Sequence, residues 1–272
     1  MRPNTSSTTD WQPDLYLRFE RQRARPLHDL LSPLHDHSVG SVIDLGCGPG
    51  NSTEYLHKLY PGAELTGVDT SDAMLEQARR RVPSASFLQA DAGTWMPEAP
   101  VDLVVANAVL HWLPDHQSLL PQLMGHLKPD GWLAIQMPDT LNEPTHRLMR
   151  EVANRPYWAD TLQEASGART PIGSFADYHD WLGDTADTIE VWQTTYVHHL
   201  SGPDAIVDWM RGAGLTPYLK RLNVEQMTRF LDGYKAAIEM AYPMRADGSV
   251  LLEFPRVFIL AQRRATQPAQ SF

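Results

Sequence analysis

The sequence predicts an α/β protein: a seven-stranded, mostly parallel, doubly wound sheet with a helical cap inserted around the last strands. Three observations carry this. Val42 to Ser52 runs from a β-branched apolar strand, through glycines at 46, 48 and 50, into the start of a helix. Short apolar strands then alternate with helical stretches as far as Met137, the pattern of a right-handed parallel sheet. Beyond Asp139 the alternation breaks into helices before two final strands return.

Taken in order, residues 11–31 carry apolar and aromatic positions at helical spacing (Leu15, Tyr16, Leu17, Phe19) with Arg18, Arg21, Arg23 and Arg25 between them. This predicts an amphipathic helix, read either as a packed surface helix or as a lid that brings Tyr16 and an arginine over a ligand. In the glycine stretch, Asn51 is expected to cap the next helix, with Glu54 completing a capping box. That helix ends at Pro61-Gly62, and Glu64–Asp69 is the second strand. A helix from Ser71, with Met74, Leu75 and Ala78 inward, stops at Pro83. Phe87–Asp91 is a short third strand, and Val101–Asn107 is nearly continuous in apolar residues, as a strand buried on both faces should be. A helix near 116–127 and a turn at Lys128-Pro129-Asp130-Gly131 lead to a strand over Trp132–Met137.

In the second half, Pro144–Arg155 and Ser174–Leu182 read as helices and Ile189–His198 as a strand. Helices near 203–212 and 223–241 precede a last strand over Val250–Ala261. The expected organisation is one domain over 1–272: a lid at about 11–31, a binding core at about 40–138, and a cap from about 139–187 and 203–245.

Open α/β sheets bind ligands outside the carboxyl ends of their strands. Asp44, Asp69, Asp91, Asn107 and Met137 all stand at such ends, so the candidate residues share one rim. The glycine turn is neither a G-x-G-x-x-G fingerprint nor a phosphate-gripping loop ending in Gly-Lys-Ser/Thr. Asp69 suits a carboxylate accepting from two ribose hydroxyls. Asp91 reads either as a second ligand-binding acid or as a turn-capping residue.

Composition narrows the function classes. A net charge of -10 argues against a general nucleic-acid binder, and it requires local positive groups for any anionic ligand. One cysteine excludes an internal disulfide framework and fits a reducing, cytoplasmic setting. No apolar run approaches the ~18 residues of a membrane helix, and Met1 to Asp10 lacks the apolar core of a signal peptide. His35-x-His37 and His198-His199 lack further ligands, so no metal site is expected. Cys47, between two glycines, reads as a loop residue and not a nucleophile. The eight tryptophans read mostly as core or cap packing, with Trp95 and Trp112 also candidates to line a ligand pocket. Oligomeric state is not legible, and a monomer is compatible with this reading.

The pattern Asp-x-Gly-x-Gly-x-Gly, followed by Asp69, Asp91, residues 107–114 and Lys128–Gly131, resembles the class I S-adenosylmethionine (SAM)-dependent methyltransferases. A narrower resemblance, to the trans-aconitate 2-methyltransferase family, is carried by further stretches. These are Tyr16-Leu17-x-Phe19…Arg23-x-Arg25-Pro26, Trp112-Leu113-Pro114-Asp115-His116, Met137-Pro138-Asp139…Glu143-Pro144-Thr145-His146, Thr195-Tyr196-x-His198 and Phe254-Pro255-Arg256. It runs from about Trp11 to Arg263. The resemblance implies a Rossmann-like fold and methyl transfer from SAM to a carboxylate of a small tricarboxylic acid, leaving a monomethyl ester and S-adenosylhomocysteine (SAH).

On this reading the cofactor residues are Tyr16, Asp44, Gly46, Gly48, Asn51, Asp69, Thr70, Met74, Asp91, Ala92 and Asn107. A carboxylate is already ionised at neutral pH, so no acid or base is assigned and positioning is the catalytic task. The non-reacting carboxylates need arginine, tyrosine or histidine donors. The candidates are Arg23, Arg25, His111, His146, Tyr196, His198 and Arg256. Two other readings remain: a SAM enzyme of a phenol or quinone precursor, which would need a base such as His111, and a SAM-binding protein without catalysis.

Overall fold

A computed structural model of the protein describes residues 20–212 and 214–265. Seven strands form one sheet in the order β3-β2-β1-β4-β5-β7-β6. In chain order they are β1 (Ser41–Leu45), β2 (Glu64–Asp69), β3 (Ser86–Gln89), β4 (Val101–Asn107), β5 (Leu127–Pro138), β6 (Ala186–Leu200) and β7 (Val250–Arg263). The pairs β1–β2, β1–β4, β2–β3 and β4–β5 are parallel, and β7 runs antiparallel to β5. The helices are α1 (Glu20–Leu31), α2 (Asn51–Leu59), α3 (Asp72–Arg81), α4 (His116–Gly125), α5 (Pro144–Ala153), α6 (Ala159–Ser166), α7 (Phe175–Leu182), α8 (Pro203–Arg211), α9 (Thr216–Leu219) and α10 (Val224–Ala241).

The chain divides into two compact units. One comprises residues 23–139, 171–194 and 255–265. Its core is the apolar interior of the sheet, with Leu45, Val68, Val104, Ala106, Leu133 and Ile135 among its members. The other comprises, among the described residues, 20–22, 140–170, 195–212 and 214–254. It has its own core, in which Met149, Val152, Trp158, Trp209, Phe230, Tyr234 and Ile238 are buried. Most helices expected in a cap fall in this second unit, but α7 belongs to the first, where it packs on α4. There Tyr178 is fully buried, its hydroxyl 3.1 Å from His116 Nδ1 and accepting from the Gly173 N–H at 3.1 Å.

Several local expectations are corrected. Asn51 is not the cap of α2: Gly50, at φ 86, holds that position, and no side chain caps the helix. A left-handed residue leads into the helix here, so Asn51 enters as its first member. Glu54 turns instead to Lys58 and Arg81, at 2.6 and 3.1 Å. The Lys128–Gly131 turn is absorbed into β5 as an irregularity beside Val101 and Leu103, with Asp130 at φ 63. β3 ends at Gln89, short of Asp91. Helices α6 and α9 were not expected; both are short, and neither shows a side-chain N-cap that would mark its start. Ser71 and Ser174 do cap α3 and α7, the latter in a capping box with Asp177.

Two glycines of the β1–α2 turn have different reasons to be glycine. A Cβ on Gly46 (φ 67) would lie 2.5 Å from Val109 Cβ, whereas one on Gly48 (φ 54) would meet nothing within 4 Å. Gly46→Ala therefore combines left-handed strain with overlap and should cost roughly 2–4 kcal/mol. Gly48→Ala carries the strain alone, at roughly 1–2 kcal/mol. Urea unfolding of the two variants tests this, and equal losses would contradict it.

Candidate active site

The site residues are placed by the sheet's alternation. Paired residues on neighbouring strands share a face, and so do residues two apart on one strand. Asp44 pairs with Val105, and Asn107 pairs with Gln136. Across the antiparallel pair, Pro138 lies opposite Arg256. Asp44, Asn107, Gln136 and Arg256 therefore project from one face, at or near the carboxyl ends of β1, β4 and β5 and beside them on β7.

At its centre that face carries Val42, Leu103, Val105 and Ala134, all buried, which makes the polar atoms beside them conspicuous. Asp44 is buried; its Oδ2 accepts from Ser52 Oγ at 2.7 Å and Thr53 Oγ1 at 2.6 Å, both from the first turn of α2. Its Oδ1 has no hydrogen-bond partner among the described residues, and neither do Asn107 Oδ1 and Gln136 Nε2. Buried polar atoms are rarely left without partners. Three on one rim mark the place where a polar ligand completes the structure. Burial pushes the Asp44 carboxyl up to about 6, against the pull of the Thr53 and Ser52 hydroxyls, and negative Asp69 adds to the rise.

The glycine turn is tied to β2. Gly46 N and Cys47 N both donate to Val68 O, at 2.7 and 3.1 Å, and Gly48 N donates to Asp69 Oδ2 at 2.9 Å. Asp69 Oδ1 accepts from Ser71 N at 2.9 Å. Each carboxylate oxygen keeps a further acceptor site, so Asp69 can brace the loop and still receive a ligand hydroxyl. Asp91 Oδ1 accepts from Gly93 N at 2.8 Å, the turn-capping role. Ala92 is buried, Met74 is buried on α3 and Thr70 is exposed. Between Asn107 and Val109 the chain turns sharply through Ala108, held at φ 57, with its N–H on Gln136 O at 2.8 Å. Cys47 is buried, and that burial, with Asp44 and Asp69 near, holds its thiol far above the usual range; it is no nucleophile.

The expected substrate residues divide between the units. Arg23, Arg25, His111 and Arg256 belong to the sheet unit, and His146, Tyr196 and His198 to the other. Arg256 is buried on an interior strand, and its Nη1 donates to Gln136 Oε1 at 2.9 Å. His111 is buried beside Trp112, ring centroids 4.9 Å apart. Arg25 is exposed and faces Asp29 at 3.7 Å, a surface pair. Tyr196 and His198 are both buried; His198 packs on Trp209 at 4.5 Å and on Phe254 at 6.1 Å. His146 is buried, with Thr145 Oγ1 3.2 Å from Nδ1 and Arg169 Nη1 3.1 Å from Nε2. Burial and the nearby Arg169 and Arg150 charges press its pKa down to about 3, so it is a neutral acceptor for Arg169. Tyr16 lies outside the described residues.

Gln136, Ser52, Thr53, Arg150 and Arg169 were not singled out from the sequence. Gln136 had a readable signal, an amide inside the apolar run Leu133–Met137. Arg169 had none, since it stands in a loop without a recognisable pattern.

Comparison with known proteins settles the family. A methyltransferase-domain family model matches residues 42–131. A trans-aconitate 2-methyltransferase of Methylobacterium nodulans is 52% identical, covering 93% of this chain and 98% of its own. The chain belongs to the trans-aconitate 2-methyltransferase family. The family's enzyme from Paracidovorax citrulli is 51% identical over 94% of this chain and 99% of its own. A solved structure, the YcgJ protein of Bacillus subtilis, shares the fold with a TM-score of 0.55 at 14% identity, covering 88% of this chain and all of that one. A class I methyltransferase takes its methyl group from SAM. The residues present fit that cofactor: a cationic ligand suits the buried Asp44 carboxylate, and the Gly48 side of the loop is open to close approach.

The raised Asp44 carboxyl makes a stability prediction. Its folded-state value lies above that of the unfolded chain, so the protonated form favours the native state. That contribution is complete below about pH 4 and is lost as pH rises through about 6, a change of about 3 kcal/mol. Asp44→Asn lacks the titration. The difference in urea-unfolding free energy between the cofactor-free proteins should therefore shift by roughly 2–2.5 kcal/mol between pH 4 and 7, against the wild type. A difference independent of pH would contradict it.

Proposed function

We propose that this protein is a SAM-dependent O-methyltransferase that esterifies one carboxylate of trans-aconitate or a closely similar tricarboxylate. The near full-length likeness to relatives named for that reaction carries the reading. Its chemistry asks for what the chain offers. The acceptor carboxylate is ionised at neutral pH and needs no base. In the described residues, His116 is engaged by Leu110 O at 2.9 Å and by Tyr178, and His146 is held neutral as a hydrogen-bond acceptor. What remains is to align the acceptor oxygen and keep water out.

SAM would be held by the Asp44–Asn107 rim, the Gly46–Gly48 loop and Asp69, and supplies an electrophilic methyl group. Asp44 sets a negative charge for a cationic ligand, Asp69 holds the loop in shape, and buried apolar strand residues exclude solvent. A net charge of -10 leaves local arginines to bind the polyanion and gives no purchase for nucleic acid. No described helix is long and apolar enough to cross a membrane. The single cysteine is compatible with the cytoplasm, where the reading places the enzyme.

Radiolabelled SAM offered with trans-aconitate, cis-aconitate, isocitrate and a catechol tests the assignment. Base-labile label on trans-aconitate, above the others, is the expected result. Base-stable label on the catechol would overturn it and point to an enzyme that needs a base.

A further inference from the structure

Gln136 is fully buried on β5, a strand flanked on both sides in the sheet. An apolar residue would pack there without cost, so the amide requires a reason. Part of it is Arg256, whose Nη1 donates to Gln136 Oε1 at 2.9 Å. A guanidinium only donates, so this contact fixes which way the amide is turned. The oxygen faces Arg256, and the Nε2 donors face away from it, with no hydrogen-bond partner among the described residues. Buried amide donors of this kind are completed by an acceptor. The register places Gln136 beside Asn107 at the rim, within the sheet unit.

We infer that Gln136 and Arg256 act as one donor fork for a non-reacting carboxylate of the acceptor, a role resting on the reading of the protein as a polycarboxylate methyltransferase. Arg256 supplies charge, and Gln136 supplies direction without adding charge. Because Gln136 Oε1 holds Arg256, the two donors keep a fixed relation, and the pair discriminates by the number and position of carboxylates. A buried donor left unmet by the wrong acceptor is a stronger discriminator than a missing apolar contact. Gln136 is thus a specificity-determining residue that touches the substrate.

The test is calorimetric binding to the full-length protein saturated with SAH, using tricarballylate, a saturated tricarboxylate, and glutarate, a dicarboxylate. The wild type should prefer tricarballylate by about tenfold or more. Gln136→Met removes the donor; Gln136→Glu keeps an acceptor for Arg256 but presents a charge to the ligand. Both should lose about tenfold of that preference while SAH affinity stays within about twofold. Variants that keep the preference, or that weaken tricarballylate and glutarate equally, would overturn the fork. A wild type that binds tricarballylate with the preference yet labels no trans-aconitate would overturn the functional reading while the fork stands. A wild type that methylates trans-aconitate beside variants that keep the preference would overturn the fork alone.

Discussion

A parallel sheet packed on both faces offers no water to a polar side chain, and this protein places three such side chains on one face. Asp44, Asn107 and Gln136 all lie where strands end, each with an atom unmet among the described residues. The rest of the site is arranged around that constraint. The hydroxyls of Ser52 and Thr53 meet one oxygen of Asp44, Arg256 meets one atom of Gln136, and the left-handed Ala108 turns the chain away past Asn107. Asp44 and Gln136 are each half satisfied by the protein, which fixes their orientation and leaves the other half to a ligand.

Such an arrangement has an energetic cost. A buried carboxylate whose pKa is raised to about 6 opposes folding at neutral pH, although its two hydroxyl donors limit the penalty. The turn that follows adds left-handed residues at 46, 48 and 50. Apolar burial on both sides of the sheet offsets these costs. Sites that hold charged ligands commonly store strain and desolvation in this way. The fold supplies rigidity where function requires unmet groups, and the ligand returns part of the cost on binding.

Much of this was legible in the sequence because parallel sheets leave strong traces. A strand buried on both faces must be almost continuously apolar, so β1 and β4 and the glycine turn between β1 and α2 could be read directly. The wider methyltransferase pattern was legible for the same reason, since Asp44, Asp69 and Asn107 stand at or near strand ends. Other features left weaker traces. Asn51 has the chemistry of a cap, but the left-handed Gly50 took the position, and backbone angles are not written in residue type. Helices α6 and α9 lack capping side chains and are too short for periodicity to show. Arg25 and Arg256 look alike as single letters, yet one is on the surface and the other is buried in the sheet; only strand order separates them. Gln136 could have been found by asking why an amide interrupts Leu133–Met137.

The central claim is that the unmet carboxylate oxygen of Asp44 is part of the seat of a cationic cofactor. The most direct measurement is the pKa of Asp44 itself, followed by carbon NMR of the labelled carboxyl in the free protein and at saturating SAM. The account predicts a value near 6 without ligand, falling by about one unit or more when a positive charge binds beside it. A pKa that stays in place, or rises, on saturation would contradict the account and move the cofactor's cationic end away from this rim.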